Sequence, residues 1–178
     1  MRISGGNLKG RNIIAPLDLS VRPTTDFAKV ALFNILNNQI DWEETMAFDL
    51  FSGTGNISFE MASRECKSII SVEQNFKANT FIKKTIEKLN LENTIKAVNM
   101  DVFSFLKQTN FSCNLVFADP PFEADFYLKL PTEIFNSTMV QENATVIIEH
   151  PAEINFTNFS QFIEKRTYGK VNFSFFKK

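Results

Sequence analysis

The chain repeats one pattern that limits its possible folds: a short apolar run ends at an acidic residue and is followed by residues at helical spacing. Short apolar runs bounded by turn signals are typical of buried strands. Strands that alternate with helices favour a mostly parallel sheet covered by helices on both faces. The predicted strands of this kind cover residues 46–51, 68–72, 94–99, 113–118 and 144–148.

Capping residues and apolar spacing predict where the helices lie. Pro23-Thr24-Thr25-Asp26 is typical of a helix start, and the apolar residues that follow it predict a helix to about Asn37. Further helices are predicted at 56–64 and 76–89. Residues 161–176, with Tyr168-Gly169 at the turn, predict an antiparallel hairpin at one edge, which brings the sheet to seven strands.

The first 22 residues differ from the rest and predict a short basic hairpin. They contain three glycines and four cations against one acid. Strands are expected at about 2–4 and 11–15, joined by a glycine-containing turn. We therefore expect a basic arm at 1–22 and a main domain at 23–178, together forming one globular unit. The four cations of the arm are Arg2, Lys9, Arg11 and Arg22.

Composition excludes several classes of protein. The 178 residues have a formal net charge of −1, so nucleic-acid binding would depend on a local basic patch. Two cysteines, Cys66 and Cys113, and one histidine have no metal-type spacing, and we expect no metal site. No stretch is apolar and long enough for a signal peptide or a membrane span, so we expect a reducing, cytoplasmic location.

Four predicted strands end at acidic residues, and a parallel sheet brings such strand ends to one edge. Ligands of parallel α/β sheets bind beyond the carboxyl ends of the strands. The sequence therefore predicts one acidic rim around a ligand site. Its members are Asp49, Glu73, Asp101 and Asp119.

Gly53-Thr54-Gly55 follows the first sheet strand and predicts a strand-to-helix turn. Two glycines allow the backbone to approach a ligand without a Cβ clash. A nicotinamide-binding fingerprint requires a third glycine at position 58, where Ser58 stands. A dehydrogenase is therefore disfavoured.

The run Asp119-Pro120-Pro121-Phe122 follows the fourth sheet strand and suits an exocyclic amine. Proline has no N–H and a fixed φ, so two prolines hold the backbone extended and leave carbonyl groups that only accept hydrogen bonds. The carboxylate and these carbonyls would accept the N–H hydrogens of such an amine. The Phe122 ring would stack on a flipped base.

Residues 49–55, followed by Glu73, resemble the S-adenosylmethionine loop of Rossmann-like methyltransferases. The resemblance implies that Glu73 accepts hydrogen bonds from the ribose hydroxyls and that Asp101, beside Val102, accepts one from the adenine amine. The cofactor-binding residues it implies are Asp49, Phe51, Ser52, Gly53, Thr54, Gly55, Glu73, Asp101, Val102 and Asp119.

The Asp-Pro-Pro-Phe run is similar to that of methyltransferases acting on adenine N6, cytosine N4 or guanine N2. The glycine loop alone also resembles that of cytosine-C5 methyltransferases. Those enzymes need a cysteine nucleophile, commonly in a Pro-Cys pair, and this chain has no such pair. The stretches 3–11, 22–26 and 32–36 resemble the RsmD family, bacterial methyltransferases of guanine N2 in small-subunit ribosomal RNA. With the strand series and the closing hairpin, this similarity spans nearly the whole chain.

The RsmD resemblance implies a monomer that acts on small-subunit ribosomal RNA, free or within the ribosomal particle. Asp119, Pro120, Pro121 and Phe122 would be catalytic, with no metal. Two alternatives stay open: methylation of another amine such as adenine N6, and an RNA-binding assembly factor with a vestigial methyl-donor site. The RNA-binding residues implied are Lys9, Arg11, Arg22, Thr24 and Phe122.

Overall fold

The computed structural model describes residues 1–16, 19 and 26–178. Within them, one seven-stranded sheet is covered by helices on both faces. The strands are β1 (Met46–Leu50), β2 (Ser68–Val72), β3 (Ile95–Val98), β4 (Cys113–Ala118), β5 (Val140–His150), β6 (Phe162–Tyr168) and β7 (Val171–Lys177). The helices are α1 (Asp26–Leu36), α2 (Asn56–Ser63), α3 (Phe76–Leu89), α4 (Val102–Gln108) and α5 (Leu130–Asn136), and Trp42–Glu44 forms one 3₁₀ turn.

The seven strands are ordered β3-β2-β1-β4-β5-β7-β6. The pairs among β1 to β5 are parallel, whereas β7 pairs antiparallel with both β5 and β6. The predicted seven-stranded, mostly parallel sheet with an antiparallel C-terminal hairpin is confirmed. The strand order reverses between β1 and β4, and such a switch point opens a crevice at the carboxyl edge of a sheet.

Alternating side chains give the sheet an apolar surface on each face. In β1, Phe48 and Leu50 join the core that also contains residues of α4 and α5, and Ala47 joins the core formed with α1, α2 and α3. This period of two is the expected result of a pleated strand buried on both sides. The apolar runs of the sequence are therefore the central strands.

Helices α4 and α5 were absent from the sequence prediction, and β5 is longer than predicted. Each of the two helices has seven residues, too few for an amphipathic period to stand out. Strand β5 begins at Val140 rather than at the predicted Ala144. The sequence pattern missed its first residues because they include the exposed, polar Glu142 and Asn143. Asn143 has a φ of 64°, which interrupts the extended backbone there.

The N-terminal arm is a hairpin held by one antiparallel bridge between Arg2 and Asn12. The Ile3 N–H donates to the Arg11 carbonyl at 3.0 Å, and the Ile13 N–H donates to the Met1 carbonyl at 2.9 Å. Both isoleucines are buried in the core that α1, α2 and α3 share. The arm is thus anchored on the main fold by its apolar residues; its separation at residue 22 stays a prediction.

A buried acid on α2 fixes the turn of the arm. The Glu60 carboxylate accepts hydrogen bonds from the Ser4 N–H (2.9 Å), the Ser4 hydroxyl (2.6 Å) and the Gly5 N–H (3.0 Å), and it pairs with Arg64. Although burial raises its pKa, these hydrogen bonds and the charges of Arg64 and Lys29 hold the pKa of Glu60 below its ordinary value. The carboxylate is therefore satisfied as an anion.

Lys29 of α1 connects the arm to helix α2 at two points of that helix. Its side chain is wholly buried, and its Nζ lies 3.1 Å from a Glu60 carboxylate oxygen. The same Nζ donates to the Arg2 carbonyl at 2.6 Å and to Asn56 Oδ1 at 2.9 Å. An ammonium group needs partners of this kind when it is removed from water.

Lys29→Met should lower the free energy of unfolding by about 3–5 kcal/mol, because it leaves the buried Glu60 carboxylate without its nearest lysine. The matched control is Lys67→Met, since Lys67 forms an exposed pair with Glu44 at 3.0 Å and should change stability by less than about 1 kcal/mol. Urea unfolding measures both. Equal, small effects of the two variants would contradict the role assigned to Lys29.

Candidate active site

A cavity of about 530 Å³ lies beyond the carboxyl ends of β1, β2, β4 and β5, where the strand order reverses. Its wall comes from the last residues of these strands and from the residues that follow them. It therefore brings together the glycine turn, the acid after β2 and the Asp-Pro-Pro-Phe run. The lining residues are 49, 51–54, 56, 57, 73–75, 117, 119–123 and 149.

Glu73 ties the glycine turn to the end of β2. One carboxylate oxygen accepts the Gly53 N–H at 2.8 Å, and the other accepts the Asn75 N–H at 2.7 Å. Glu73 is 8% exposed and lines the cavity. Each oxygen of a carboxylate accepts more than one hydrogen bond, so these contacts leave capacity for ligand hydroxyl groups.

The turn after β1 uses left-handed backbone at three positions. Phe51, Gly53 and Gly55 have φ values of 61°, 54° and 77°. Such a conformation in a residue other than glycine costs about 1–3 kcal/mol and is common at functional sites. The Phe51 ring stacks on the Phe126 ring with centroids 5.7 Å apart, which fixes it beside the cavity.

Gly55 permits helix packing as well as the turn. A Cβ at this position would lie 2.8 Å from the Phe59 ring and 3.2 Å from a carbon of Ile82 on α3. Gly53 lines the cavity, whereas Gly55 is outside the lining set. Gly55 thus also serves the packing of α2 against α3, and the predicted contacts of Gly53 and Gly55 with a ligand stay predictions.

Asp49 lies at the buried end of the glycine turn and has a strongly shifted pKa. Its carboxylate accepts both the N–H and the hydroxyl of Ser58 on α2. Burial raises its pKa to about 7, against the lowering effect of the Ser58 hydrogen bonds; the charge of Glu73 adds to the rise. Asp49 therefore positions the start of α2 while it lines the cavity.

The Asp-Pro-Pro-Phe run is held in place by backbone and side-chain contacts. The Asp119 N–H donates to the Leu50 carbonyl of β1 at 3.2 Å. The Pro120 carbonyl accepts the hydroxyl of the buried Tyr127 at 3.0 Å. The Pro121 carbonyl accepts the Ala124 N–H at 2.9 Å. A carbonyl oxygen has two lone pairs, so both prolines keep acceptor capacity for an amine.

Three of the four acids of the predicted rim line the cavity, and Asp101 does not. Asp101 is exposed and caps α4, where its carboxylate accepts the Ser104 N–H at 2.8 Å. Val102 is buried in the core beneath that helix. Their predicted contacts with an adenine ring stay predictions. Of the four acids, Asp49, Glu73 and Asp119 form one wall.

The predicted RNA-binding residues fall into three groups. Lys9 and Arg11 are exposed on the arm, and Phe122 is half-buried in the cavity wall. Arg22 and Thr24 lie outside the described residues. The assignment of all five to RNA binding stays a prediction.

The sequence analysis missed several residues of the site, of which three bear on its chemistry. Asn56 and Glu149 line the cavity, and Tyr127 supports the Pro120 carbonyl. Glu149 follows the apolar run of β5 directly, which is the same signal that identified the other strand-end acids. For Asn56 and Tyr127 the sequence offers no comparable signal, since their roles depend on tertiary contacts.

Within residues 1–16, 19 and 26–178, no cluster of three or more His, Cys, Asp or Glu side chains is arranged to hold a metal ion. Among the helices of these residues, none has the length and apolar character needed to cross a membrane. The expected monomeric state and cytoplasmic location stay predictions.

Solved structures share this fold. Escherichia coli yhhF matches with a TM-score of 0.85 at 26% identity, over 100% of this chain and 97% of that one. An RNA methyltransferase from Salinibacter ruber in complex with S-adenosyl-L-homocysteine matches with a TM-score of 0.69 at 13% identity, over 88% and 93% of the two chains. At that identity the second likeness concerns the fold alone. The class defined by fold and site is the Rossmann-like, S-adenosylmethionine-dependent methyltransferases.

Sequence relatives identify the family within that class. Residues 1–177 match the family described as "Conserved hypothetical protein 95". The chain is 30% identical to Bacillus subtilis YlbH, over 100% of this chain and 99% of that protein. It is 29% identical to Escherichia coli "Ribosomal RNA small subunit methyltransferase D", over 86% and 76%. The chain belongs to this family, the RsmD/YlbH family, as its motifs predicted.

The cavity fits S-adenosylmethionine in size and in chemistry. Its volume lies within the range of about 300–1,000 Å³ that is usual for small-molecule sites. The Glu73 carboxylate, fixed by two backbone N–H groups, suits the ribose hydroxyls, and Gly53 leaves room beside the turn. These residues would hold the nucleoside, while Asp119 borders the same space.

The pKa of Asp49 gives a pH-dependent prediction. Because burial raises its pKa from 3.8 to about 7, the folded protein binds a proton that the unfolded chain has lost between these values. The contribution of Asp49 to stability is therefore present below about pH 4 and is lost as the pH rises through about 7, by up to about 1.4 kcal/mol per pH unit.

Asp49→Asn should remove this dependence. Urea titrations at pH 4.5 to 8 give the free energy of unfolding of the wild type and of the variant. The wild-type value minus the variant value should fall as the pH increases. Asp125→Asn, which removes an exposed carboxylate, is the control for the loss of one charge. A difference between wild type and Asp49→Asn that is independent of pH would refute the prediction.

Proposed function

We propose that this protein transfers the methyl group of S-adenosylmethionine to the exocyclic N2 amine of a guanine in small-subunit ribosomal RNA. The observation that supports it most is the shared cavity: Gly53 and Glu73 line the same space as Asp119, Pro120 and Phe122. Under this proposal, a methyl-donor site and an amine-accepting site border each other. The RNA substrate is inferred from the name of the Escherichia coli relative.

The chemistry of this wall suits an aromatic amine. When bound, S-adenosylmethionine supplies an electrophilic methyl carbon on a positively charged sulfur. The lone pair of a guanine N2 is delocalised into the ring, so the site must favour a pyramidal nitrogen. The Asp119 carboxylate and the Pro120 carbonyl would accept the two N–H hydrogens and hold that geometry.

Under this proposal, Asp119 also stabilises the positive charge that develops during the reaction. As the N–C bond forms and the C–S bond breaks, the electron pair of that bond goes to sulfur and the nitrogen becomes positive. The negative charge of Asp119 stabilises this nitrogen, and its carboxylate is the acceptor beside it for the departing proton. Phe122 would stack on the base, which compensates for part of the few kcal/mol needed to flip it.

Unmethylated small subunits, incubated with the enzyme and labelled S-adenosylmethionine, should gain N2-methylguanine, located by digestion and mass mapping. Asp119→Ala should lower the rate about 100-fold or more, because it removes the charged acceptor. Its affinity for S-adenosylhomocysteine, measured by calorimetry, should change only a few-fold, since Glu73 remains.

Other outcomes decide between the alternatives. Label on adenine or cytosine would overturn the guanine assignment but keep amine transfer. The absence of saturable S-adenosylhomocysteine binding by the folded wild type would instead favour an assembly factor with a vestigial site.

The arm is expected to contact phosphates through Lys9 and Arg11, which are both exposed. Arg11→Ala should weaken RNA binding and lower the slope of log affinity against log salt by about 1. The control is Lys88→Ala, because Lys88 is exposed in the last turn of α3, at the opposite edge of the sheet from the cavity.

Filter binding at several salt concentrations measures the RNA affinity, and calorimetry measures S-adenosylhomocysteine affinity, which should stay unchanged in both variants. An unaltered salt slope in Arg11→Ala would remove Arg11 from the interface. An equal loss of RNA and cofactor affinity in the folded variant would also argue against a phosphate contact.

A further inference from the structure

Glu149 is a carboxylate in the cavity wall that the chemistry above does not use. It directly follows the apolar part of β5, is 3% exposed and lines the same space as Asp119 and Phe122. Strands β4 and β5 are parallel, and Ala118 pairs with Ile148. Asp119 directly follows Ala118, and Glu149 directly follows Ile148, so these two acids are neighbours at the carboxyl edge of the sheet.

The surroundings of Tyr127 confirm that the two acids share one region. The Tyr127 hydroxyl donates to the Pro120 carbonyl at 3.0 Å. Burial raises the pKa of this hydroxyl above its usual value, and the charges of Asp119 and Glu149 raise it further. Both carboxylates therefore lie close to the tyrosine that supports the amine-accepting backbone. Each also interacts within the protein, but a carboxylate accepts several hydrogen bonds.

The three aromatic amines that an Asp-Pro-Pro-Phe site could take differ in the atom beside the amine. Guanine places the N1–H donor next to its N2 amine, whereas adenine places an N1 lone pair next to N6 and cytosine an N3 lone pair next to N4. An ionised carboxylate only accepts hydrogen bonds. One carboxylate for the amine and a second beside it thus match the adjacent N2 amine and N1–H donors of guanine. The second carboxylate would repel the ring lone pair that adenine or cytosine has in place of the N1–H.

We propose that the Glu149 carboxylate accepts the N1–H of the target guanine and thereby selects guanine over adenine and cytosine, an inference that rests on the proposed methyl transfer. Flipped bases are read by hydrogen bonds to their Watson–Crick edge. Burial makes the selection strong, because a lone pair facing a desolvated carboxylate has no water to separate the two. Glu149 is then a specificity-determining residue, and Asp119 holds the amine.

The test replaces the target base by 2-aminopurine, which keeps the amine at C2 but has a lone pair at N1. Small subunits are reconstituted with ribosomal RNA that carries guanine or 2-aminopurine at the position identified by mass mapping. Wild type should methylate guanine about 10- to 100-fold more efficiently in kcat/KM, the usual worth of a hydrogen bond to a charged group.

Glu149→Gln should reduce this preference to near unity, because an amide N–H can donate to the N1 lone pair of 2-aminopurine. Loss of the O6 atom in 2-aminopurine affects wild type and variant alike, so the comparison isolates N1. Glu149→Asp, which keeps the carboxylate, should keep the preference. The matched control is Glu123→Gln, since Glu123 lines the cavity but is exposed.

The unfolding midpoint and the S-adenosylhomocysteine affinity of Glu149→Gln show whether the variant is folded and binds the cofactor product. Equal efficiency of wild type on the two bases would overturn the proposal, whatever the variant does. A full preference for guanine in folded Glu149→Gln would overturn it as well. If wild type forms no N2-methylated product with guanine, the proposed function itself fails, and the role of Glu149 fails with it.

Discussion

The reversal of strand order between β1 and β4 is the constraint on which the site depends. Because the chain crosses to opposite sides of β1, the connections after β1 and β4 separate and leave a crevice at the carboxyl edge. The acids of the candidate mechanism lie at or next to the ends of strands at this edge. Glu73 then fixes the crevice wall by accepting two backbone N–H groups from different connections.

The central strands and the acids that follow them were predictable because both signals are local. An apolar run buried on both faces needs no tertiary information, and the next acid in sequence must lie at the carboxyl edge. Glu149 obeys the same rule as Asp119 and could have been found by it. Tyr127 could not, since its hydroxyl meets Pro120 only after the chain between them has folded back.

Two of the predicted cofactor-binding residues also have structural roles that the sequence did not indicate. Gly55 has a φ of 77° and lies where a Cβ would meet Phe59 and Ile82, so the turn and the helix packing both require a glycine. Asp101 lies three residues after β3, and its carboxylate caps helix α4, which is too short to be recognised in sequence. A local sequence pattern thus predicts the position of a residue in the fold better than it predicts the groups that the residue contacts.

The distribution of charge divides the protein into two regions with different ligands. Acceptors line the cavity, with Asp119, Glu149 and the Pro120 carbonyl at one end, so this space is suited to N–H groups and unsuited to phosphate. The exposed cations of the arm have the opposite preference. Under the proposed function, a flipped base enters the cavity while its backbone stays outside, near the arm. Lys29 joins these regions, since one ammonium group contacts the Arg2 carbonyl and the cavity residue Asn56.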